Sequence, residues 1–250
     1  MNKRDYEKMC RFLLVGLAMC AVAFFAFVTS APAGERPTPP YRDVLEHSLV
    51  RVGWPGGEGS GFYLGEGRFM TAGHVVTAID RASNGPTPWV KFWAGQSVPI
   101  KSAWHTENEL DIGILEVDPA KVPAFAKPVD LACAYRPFAG ETIYALGSPL
   151  DLNWAVSRGV VASTRGLLEL YGRVGLDVTV APGSSGGPII VPDGRVIGVT
   201  TAILRMPPLG PNKPDGPSGF SIMMGPASLC KALDAYGEGV ETVPTIPSPF

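Results

Sequence analysis

The chain has 250 residues and a formal net charge of −2 at pH 7, with 46% hydrophobic and 18% charged residues. This composition excludes an intrinsically disordered chain, which combines low hydrophobicity with high charge, and it lacks the basic footprint of a nucleic-acid-binding protein. The 30 glycines and 25 prolines follow no Gly-X-Y period, which excludes collagen and leaves a turn-rich globular protein.

The first residues have the pattern of an export signal. A charged start with four basic residues precedes an uncharged apolar run over residues 12–28, and Ala31-Pro32-Ala33 then offers a cleavage site. The apolar run also reaches the lower limit of a membrane-spanning helix. Residues 1–33 are therefore either a signal peptide or an N-terminal membrane anchor. Both place the rest of the chain in the periplasm, outside the cell or on the outer side of a membrane.

Short apolar segments divided by Gly and Pro make up most of the remaining chain. Residues 34–43 are rich in proline and predict a linker, and a folded domain is expected over residues 44–236, before a tail over 237–250. Apolar segments of about four to eight residues between turns are typical of β-barrels and β-sandwiches. The one helix predicted in this domain is Pro226–Tyr236, where apolar residues recur at helical spacing.

Two cysteines, Cys133 and Cys230, lie in the expected domain. An exported chain can pair them, but the sequence leaves open whether they meet. No CxxC motif or Cys/His cluster suggests a metal site, so we expect neither a metal ion nor another cofactor.

Ser185 lies in a glycine-rich turn that runs from Gly183 to Pro188, between two apolar segments. A nucleophilic serine needs an exposed hydroxyl on a tight turn and nearby backbone N–H groups that receive an oxyanion. Glycine permits such a turn and lets a substrate carbonyl approach closely. The same residues also fit an ordinary surface turn, so the motif by itself leaves both interpretations open.

A serine nucleophile needs a base, and the chain has three histidines. His74 follows an apolar strand and a small-residue turn, so it can face a cleft, whereas His47 and His105 are expected to face solvent. Asp111 opens an apolar strand, where a carboxylate is costly to bury without a partner. It either orients a histidine base or lies in solvent at the start of the strand.

The order His74, Asp111, Ser185 is the chymotrypsin order among the unrelated serine triads. With these motifs the chain resembles the trypsin-like, chymotrypsin-fold serine proteases, and it is most similar to the protease domain of the bacterial HtrA/Deg branch. The resemblance covers about residues 44–226. Its motifs are Gly59–Phe62, Thr71–Val76, Leu110–Leu115, Arg158–Ala162, Asp177–Pro188, Gly198–Ala202 and Gly219–Ile222.

The resemblance implies an all-β fold of two six-stranded antiparallel β-barrels, over about residues 44–126 and 139–225. The active site is expected between the barrels, and a short C-terminal helix follows them. The implied activity is that of a serine endopeptidase acting on protein or peptide substrates. In it, Ser185 is the nucleophile, His74 the general base and Asp111 the carboxylate that orients the base.

The resemblance also implies the surroundings of the triad. The backbone N–H groups of Gly183 and Ser185 are expected to form the oxyanion hole. The substrate pocket is expected to be lined by Thr179, Thr200, Thr201 and Ala202. Because none of these four residues is charged, we expect a small or medium-sized uncharged residue on the acyl side of the scissile bond.

Three departures from the family pattern concern the substrate and the accessory domains. Ser184 and Ala181 stand where the family usually has Asn, and the Pro-rich loop Arg205–Ser218 is long and lies near the expected pocket. Because few residues follow the expected domain, we also expect no PDZ domain. The alternative function is a pseudoprotease that binds peptides or proteins, with this loop obstructing the cleft. A third possibility is a structural or anchor protein whose match to the triad arises by chance. The oligomeric state stays open.

Overall fold

The computed structural model describes residues 38–82, 85–106, 110–165, 172–206 and 216–238. The expected signal peptide or anchor, with its apolar run over residues 12–28, lies outside the described residues, as does most of the expected tail. None of the helices within the described ranges combines the length and apolar character needed to cross a membrane.

The strands form two closed antiparallel β-barrels of six strands each, which confirms the predicted fold class. The first barrel has the order β1-β2-β3-β6-β5-β4 and the second β10-β11-β12-β9-β8-β7. The strands are β1 Leu49–Trp54, β2 Gly57–Gly65, β3 Arg68–Thr71, β4 Trp89–Phe92, β5 Ser97–His105, β6 Gly113–Val117, β7 Thr142–Gly147, β8 Ala155–Ser163, β9 Arg173–Asp177, β10 Pro188–Ile190, β11 Val196–Met206 and β12 Gly216–Met224. Among the described residues the α-helices are α1 Tyr41–His47, α2 Gly73–Arg81 and α3 Pro226–Gly237, and short 3-10 turns cover Pro119–Lys121 and Pro149–Asp151.

Alternating side chains fill the two barrel interiors. In β5, Val98 and Ile100 are buried while the residues between and beside them face solvent, which is the period of two expected of a strand with one buried face. Aromatic rings fill the first barrel, where Phe69 and Phe92 make an edge-to-face contact at 5.8 Å. The second barrel is filled by aliphatic side chains and methionine, including Ile143, Leu176, Ile189, Ile197 and Met223.

The predicted C-terminal helix is confirmed, but two helices were not predicted. Helix α1 begins at Tyr41, inside the expected linker, and has only seven residues, of which Val44 and Leu45 are buried. It is too short to show a helical repeat in the sequence. Helix α2 follows β3 directly and is rich in β-branched residues, which favour strands. Burial of Val75, Val76 and Ile79 outweighs that local preference.

The predicted bounds of the loop Arg205–Ser218 are wrong at both ends. Strand β11 continues to Met206, and β12 begins at Gly216; Arg205 pairs with Pro217 and Met206 with Gly216. The remaining loop residues, 207–215, lie outside the described residues.

A disulfide bond joins Cys133 in the segment between the barrels to Cys230 in α3, with the Cα atoms 5.9 Å apart. Helix α3 also contacts both barrels. Ser228 Oγ donates a hydrogen bond to Gly172 O beside β9. The hydroxyl of Tyr236 donates to Glu116 on β6. The helix therefore ties the interbarrel segment to both halves of the fold.

We predict that reduction of this disulfide destabilises the domain. The two cysteines are 97 residues apart in sequence, so the cross-link restricts a long loop of the unfolded chain, and its loss should lower the free energy of unfolding by about 2–5 kcal/mol. Denaturant unfolding with and without dithiothreitol measures this difference. The double variant Cys133→Ser/Cys230→Ser should unfold like the reduced protein and be insensitive to dithiothreitol, and a reductant-independent midpoint in the unmodified protein would contradict the prediction.

Candidate active site

Strand pairing brings His74 and Asp111 together. Thr71 at the end of β3 pairs with Gly113 at the start of β6, so the residues that follow Thr71 lie beside those that precede Gly113. His74 Nδ1 lies 2.8 Å from Asp111 Oδ2, and the backbone N–H of His74 donates to Asp111 Oδ1 at 2.7 Å. One carboxylate thus holds both the ring and the backbone of the histidine.

The Asp111 carboxylate also caps helix α2. No side chain of the N-cap residue Ala72 caps this helix, and the first N–H groups of a helix lack partners within it. Burial by itself would raise the pKa of Asp111. The hydrogen bonds from the His74 ring and backbone, with electrostatic attraction to the His74 and Arg173 side chains, outweigh this effect and lower the pKa of Asp111. Asp111 is therefore ionised at neutral pH and accepts a hydrogen bond from the N–H at His74 Nδ1.

Ser185 lies on a tight turn between β9 and β10. Gly183 has a φ of +97° and Gly186 a φ of +86°, a region that side chains with a Cβ rarely occupy. A Cβ on Gly186 would also collide with Ser60 O and Thr71 Oγ1 of the first barrel. The turn therefore presses against the first barrel next to the residues that precede His74. Within the described chain, Ser185 Oγ forms no hydrogen bond.

Ser60 on β2 connects the serine turn to the first barrel. Its backbone N–H donates to Ser185 O at 2.8 Å, and its hydroxyl donates to Gly183 O at 2.7 Å. The same hydroxyl accepts a hydrogen bond from the backbone N–H of Ser148, at the end of β7, at 3.0 Å. Ser60 is fully buried, so these bonds are shielded from water.

The backbone N–H groups of the turn fall into two sets. Those of Ser184, Gly186 and Gly187 donate to backbone carbonyls. Those of Gly183 and Ser185 donate to no protein acceptor among the described residues. Two unpaired, half-buried N–H groups beside a serine hydroxyl can receive the negative charge of an oxyanion.

The orientation of the Gly183 N–H is set by its own peptide group. The carbonyl of Pro182 accepts a hydrogen bond from the backbone N–H of Leu150 at 3.0 Å. Because the C=O and N–H of a trans peptide point in opposite directions, this bond directs the Gly183 N–H away from Leu150. Leu150 itself has a φ of +47°, which is uncommon for a leucine.

The four expected pocket residues have different environments. Thr200 pairs with the serine turn, since its carbonyl accepts from Gly186 N at 2.8 Å and its N–H donates to Gly187 O at 2.9 Å. Its side chain is buried, and Oγ1 has no hydrogen-bond partner among the described residues. Thr201 is buried and donates to Ile222 O at 3.3 Å. Thr179 and Ala202 are exposed.

The sequence patterns gave no role to Ser60, Ser148 or Leu150. Ser60 lies within the motif Gly59–Phe62, but nothing in the sequence shows which partners a buried serine has across two barrels. A left-handed Leu150 has no sequence signal either, because Gly or Asn is the usual residue at such a position. Among the residues that the structure describes, no group of three or more His, Cys, Asp or Glu side chains lies together as a metal ligand set.

Comparison with known proteins supports one family. Residues 59–199 match the model of the trypsin-like peptidase domain. Serine protease HTRA1B of Danio rerio is 34% identical over 154 residues, which is 57% of this chain and 30% of that protein. A probable periplasmic serine endoprotease DegP-like of Halomonas elongata is 30% identical over 149 residues, or 58% of this chain and 29% of that protein. The chain therefore spans under a third of the length of these relatives.

Solved structures have the same fold. The serine endoprotease from Yersinia pestis superposes with a TM-score of 0.61 at 20% identity, over 80% of this chain and 67% of that one. The Rv3671c protease of M. tuberculosis in its inactive form superposes with a TM-score of 0.61 at 22% identity, over 79% of this chain and 93% of that one.

We predict that Ser60→Ala destabilises the contact between the barrels and the serine turn. The substitution leaves the Gly183 carbonyl and the Ser148 N–H without a partner, which should cost about 1–3 kcal/mol for each buried group. It should also slow the reaction of Ser185 with a fluorophosphonate by roughly tenfold, the factor that about 1.4 kcal/mol in the barrier represents. Denaturant unfolding and the rate of labelling measure the two effects.

Ser48→Ala is the matched control. Ser48 is a buried serine of the same barrel whose hydroxyl donates to Lys127 O at 2.7 Å, away from the serine turn. It should lower stability but leave the labelling rate of the folded protein unchanged. Equal labelling rates in Ser60→Ala and Ser48→Ala would show that Ser60 does not act on the turn.

Proposed function

The chain belongs to the family of trypsin-like peptidase domains, and we propose that it is an exported serine endopeptidase that cleaves peptide bonds with His74, Asp111 and Ser185. The observation that carries the proposal is that the Asp111 carboxylate is hydrogen-bonded to His74 twice, to the backbone N–H at 2.7 Å and to ring Nδ1 at 2.8 Å. It accompanies a serine turn whose Gly183 and Ser185 N–H groups are unpaired among the described residues.

The proposed reaction starts at Ser185 Oγ. As Oγ bonds to the carbonyl carbon of the scissile peptide, His74 Nε2 takes the hydroxyl proton. Asp111 keeps the other ring proton on Nδ1, so that Nε2 is the free base, and its negative charge stabilises the imidazolium that forms. When the C–N bond breaks, the proton passes from Nε2 to the leaving amine. The acyl-enzyme ester is then hydrolysed by water, which His74 deprotonates in the same way.

The oxyanion is assigned to the N–H groups of Gly183 and Ser185. The negative charge develops on the substrate oxygen only when the carbonyl carbon becomes tetrahedral. Donors that are already in place at that moment lower the barrier without reorganising. The hydrogen bond of Pro182 O to Leu150 N holds the Gly183 donor in place. The roles of Ser60 and Leu150 are therefore those of positioning residues.

The substrate pocket is assigned to Thr179, Thr200, Thr201 and Ala202. None of them carries a charge that would pair with Lys, Arg or an acidic side chain, so the preferred residue on the acyl side of the bond is small or medium-sized and uncharged. The hydrogen bonds of Thr200 to Gly186 and Gly187 support this assignment, because they hold β11 against the turn that carries Ser185.

Export is supported by the apolar run over residues 12–28 behind a basic start and by the word periplasmic in the name of the Halomonas relative. The disulfide between Cys133 and Cys230 fits an oxidising compartment outside the cytoplasm. The substrates are proteins or peptides, and no cofactor takes part.

We predict that Ser185 reacts covalently with a fluorophosphonate probe. Labelling should disappear in Ser185→Ala and fall at least about a hundredfold in His74→Ala, because the hydroxyl then lacks its base. Ser102→Ala on β5, whose hydroxyl contacts Glu116 far from the turn, should label like the unmodified protein. Gel detection of the probe and circular dichroism of each variant are the measurements. A folded protein without Ser185-dependent labelling would show instead a pseudoprotease that only binds its ligands.

The residue on the acyl side of each cleaved bond is predicted to be small or medium-sized and uncharged. Digestion of a peptide library followed by mass spectrometry of the products gives this preference directly. Ala202→Asp, which adds a negative charge to the exposed edge of β11, should raise the share of cuts after Lys and Arg, because opposite charges attract in a partly desolvated site. An unchanged profile would place the pocket elsewhere.

A further inference from the structure

We propose that Trp93, Leu150, Leu152 and Trp154 form an apolar subsite for the leaving-group side of the substrate, which binds an aliphatic or aromatic side chain within the first three residues after the scissile bond. This surface is called the leucine–tryptophan surface below. The proposal rests on the proposed function, because it needs a peptide lying across Ser185.

The serine turn lies between strand β11 on one side and the segment that holds Leu150 on the other. On one side, Thr200 of β11 pairs with Gly186 and Gly187. On the other, Leu150 N–H bonds to Pro182 O, and a Cβ on Gly183 would collide with Ser148. If the acyl side of a substrate follows β11, the chain beyond the scissile bond must pass over the segment that holds Leu150.

The backbone of this segment is folded so that its leucines face outward. Leu150 and Trp154 have φ angles of +47° and +62°. The backbone N–H of Leu152 donates to Pro149 O at 2.7 Å. The backbone N–H of Trp154 donates to Ser148 Oγ at 3.4 Å. A left-handed leucine costs roughly 1–2 kcal/mol. These local hydrogen bonds hold it there while its side chain stays 66% exposed.

The first barrel completes the surface. Trp93, in the turn between β4 and β5, makes an edge-to-face contact with Trp154 of the second barrel at 5.6 Å. The two rings therefore bridge the barrels, and Trp154 directly follows the segment that holds Leu150. Both indoles keep part of their surface open, and Trp93 is 42% exposed.

The exposed apolar side chains are concentrated here. Of six large hydrophobic side chains that are exposed in the described part of the chain, three belong to this surface, with Leu152 at 64%. Exposed apolar side chains that are concentrated on one part of a protein surface mark ligand-binding sites. Leucine and tryptophan side chains carry no charge, so the fitting partner is an apolar side chain, which gains by leaving water.

The test is cleavage of a proteome-derived peptide library by the full-length protein, with mass spectrometry of the products. Leu, Ile, Phe and Met should exceed Ser, Asn and Asp by roughly tenfold at one or more of the three positions after the cut, the discrimination that a small difference in apolar contact supplies. Leu152→Ser and Trp93→Ser should each reduce this ratio, and the double variant should bring it to within about twofold of unity. The fluorophosphonate labelling rate, which needs no leaving-side peptide, should stay unchanged in all three.

Phe138→Ser is the matched control, because Phe138 is 63% exposed and lies in the segment between the barrels. It should keep both the ratio and the labelling rate. A labelled protein with a flat profile after the cut, or a ratio that survives in the double variant, overturns the subsite but leaves the peptidase. Absence of Ser185-dependent labelling and cleavage overturns the peptidase and the subsite together. A change from dimer to monomer in the double variant with an unchanged profile would assign the surface to a second copy and overturn the subsite.

Discussion

The hydrogen bonds of Ser60 connect the two barrels at the serine turn. Its amide bonds to the carbonyl of Ser185, and its hydroxyl joins the carbonyl of Gly183 to the amide of Ser148. Because Ser60 is fully buried, breaking any of these bonds leaves a polar group without water as a substitute. The position of the turn therefore depends on the first barrel, although every residue of the turn belongs to the second. A displacement of one barrel against the other would strain the same bonds that hold the proposed nucleophile and oxyanion donors.

Asp111 is a second polar group that depends on hydrogen bonds to compensate for its burial. A carboxylate at the start of an apolar strand loses hydration, which raises its pKa, yet the charges and hydrogen bonds of its partners lower it overall. Its oxygens bond to the ring of His74 and to the first turn of α2. The start of the helix, the ring orientation and the ionised state of Asp111 thus depend on one another. Capping by Asp111 adds to the burial of Val75, Val76 and Ile79, and together they outweigh the preference of these residues for strands.

The segment after β7 links the proposed oxyanion donor to the proposed leaving-side subsite. Leu150 holds the peptide of Pro182 and Gly183 through its backbone while its side chain is exposed. Binding of a substrate on that side chain would therefore act next to the donor. The disulfide and α3 lie elsewhere in the fold, where they tie the interbarrel segment to both barrels. They restrict relative movement of the halves whose alignment Ser60 needs.

Local signals in the sequence, namely short apolar segments, glycine-rich turns and helical spacing, indicated a β-barrel or β-sandwich and the C-terminal helix. The two six-stranded barrels and the roles of His74, Asp111 and Ser185 were implied by the resemblance to trypsin-like serine proteases. The resemblance also assigned Thr200 to the expected substrate pocket, and its hydrogen bonds to the serine turn appear only in the structure. Only the tertiary structure decided that Cys133 meets Cys230, that Thr71 pairs with Gly113 so that Asp111 reaches His74, and that Trp93 meets Trp154. These pairings join residues that are distant in the chain, and their positions follow from barrel closure and strand register. Neighbouring residues do not encode these long-range constraints.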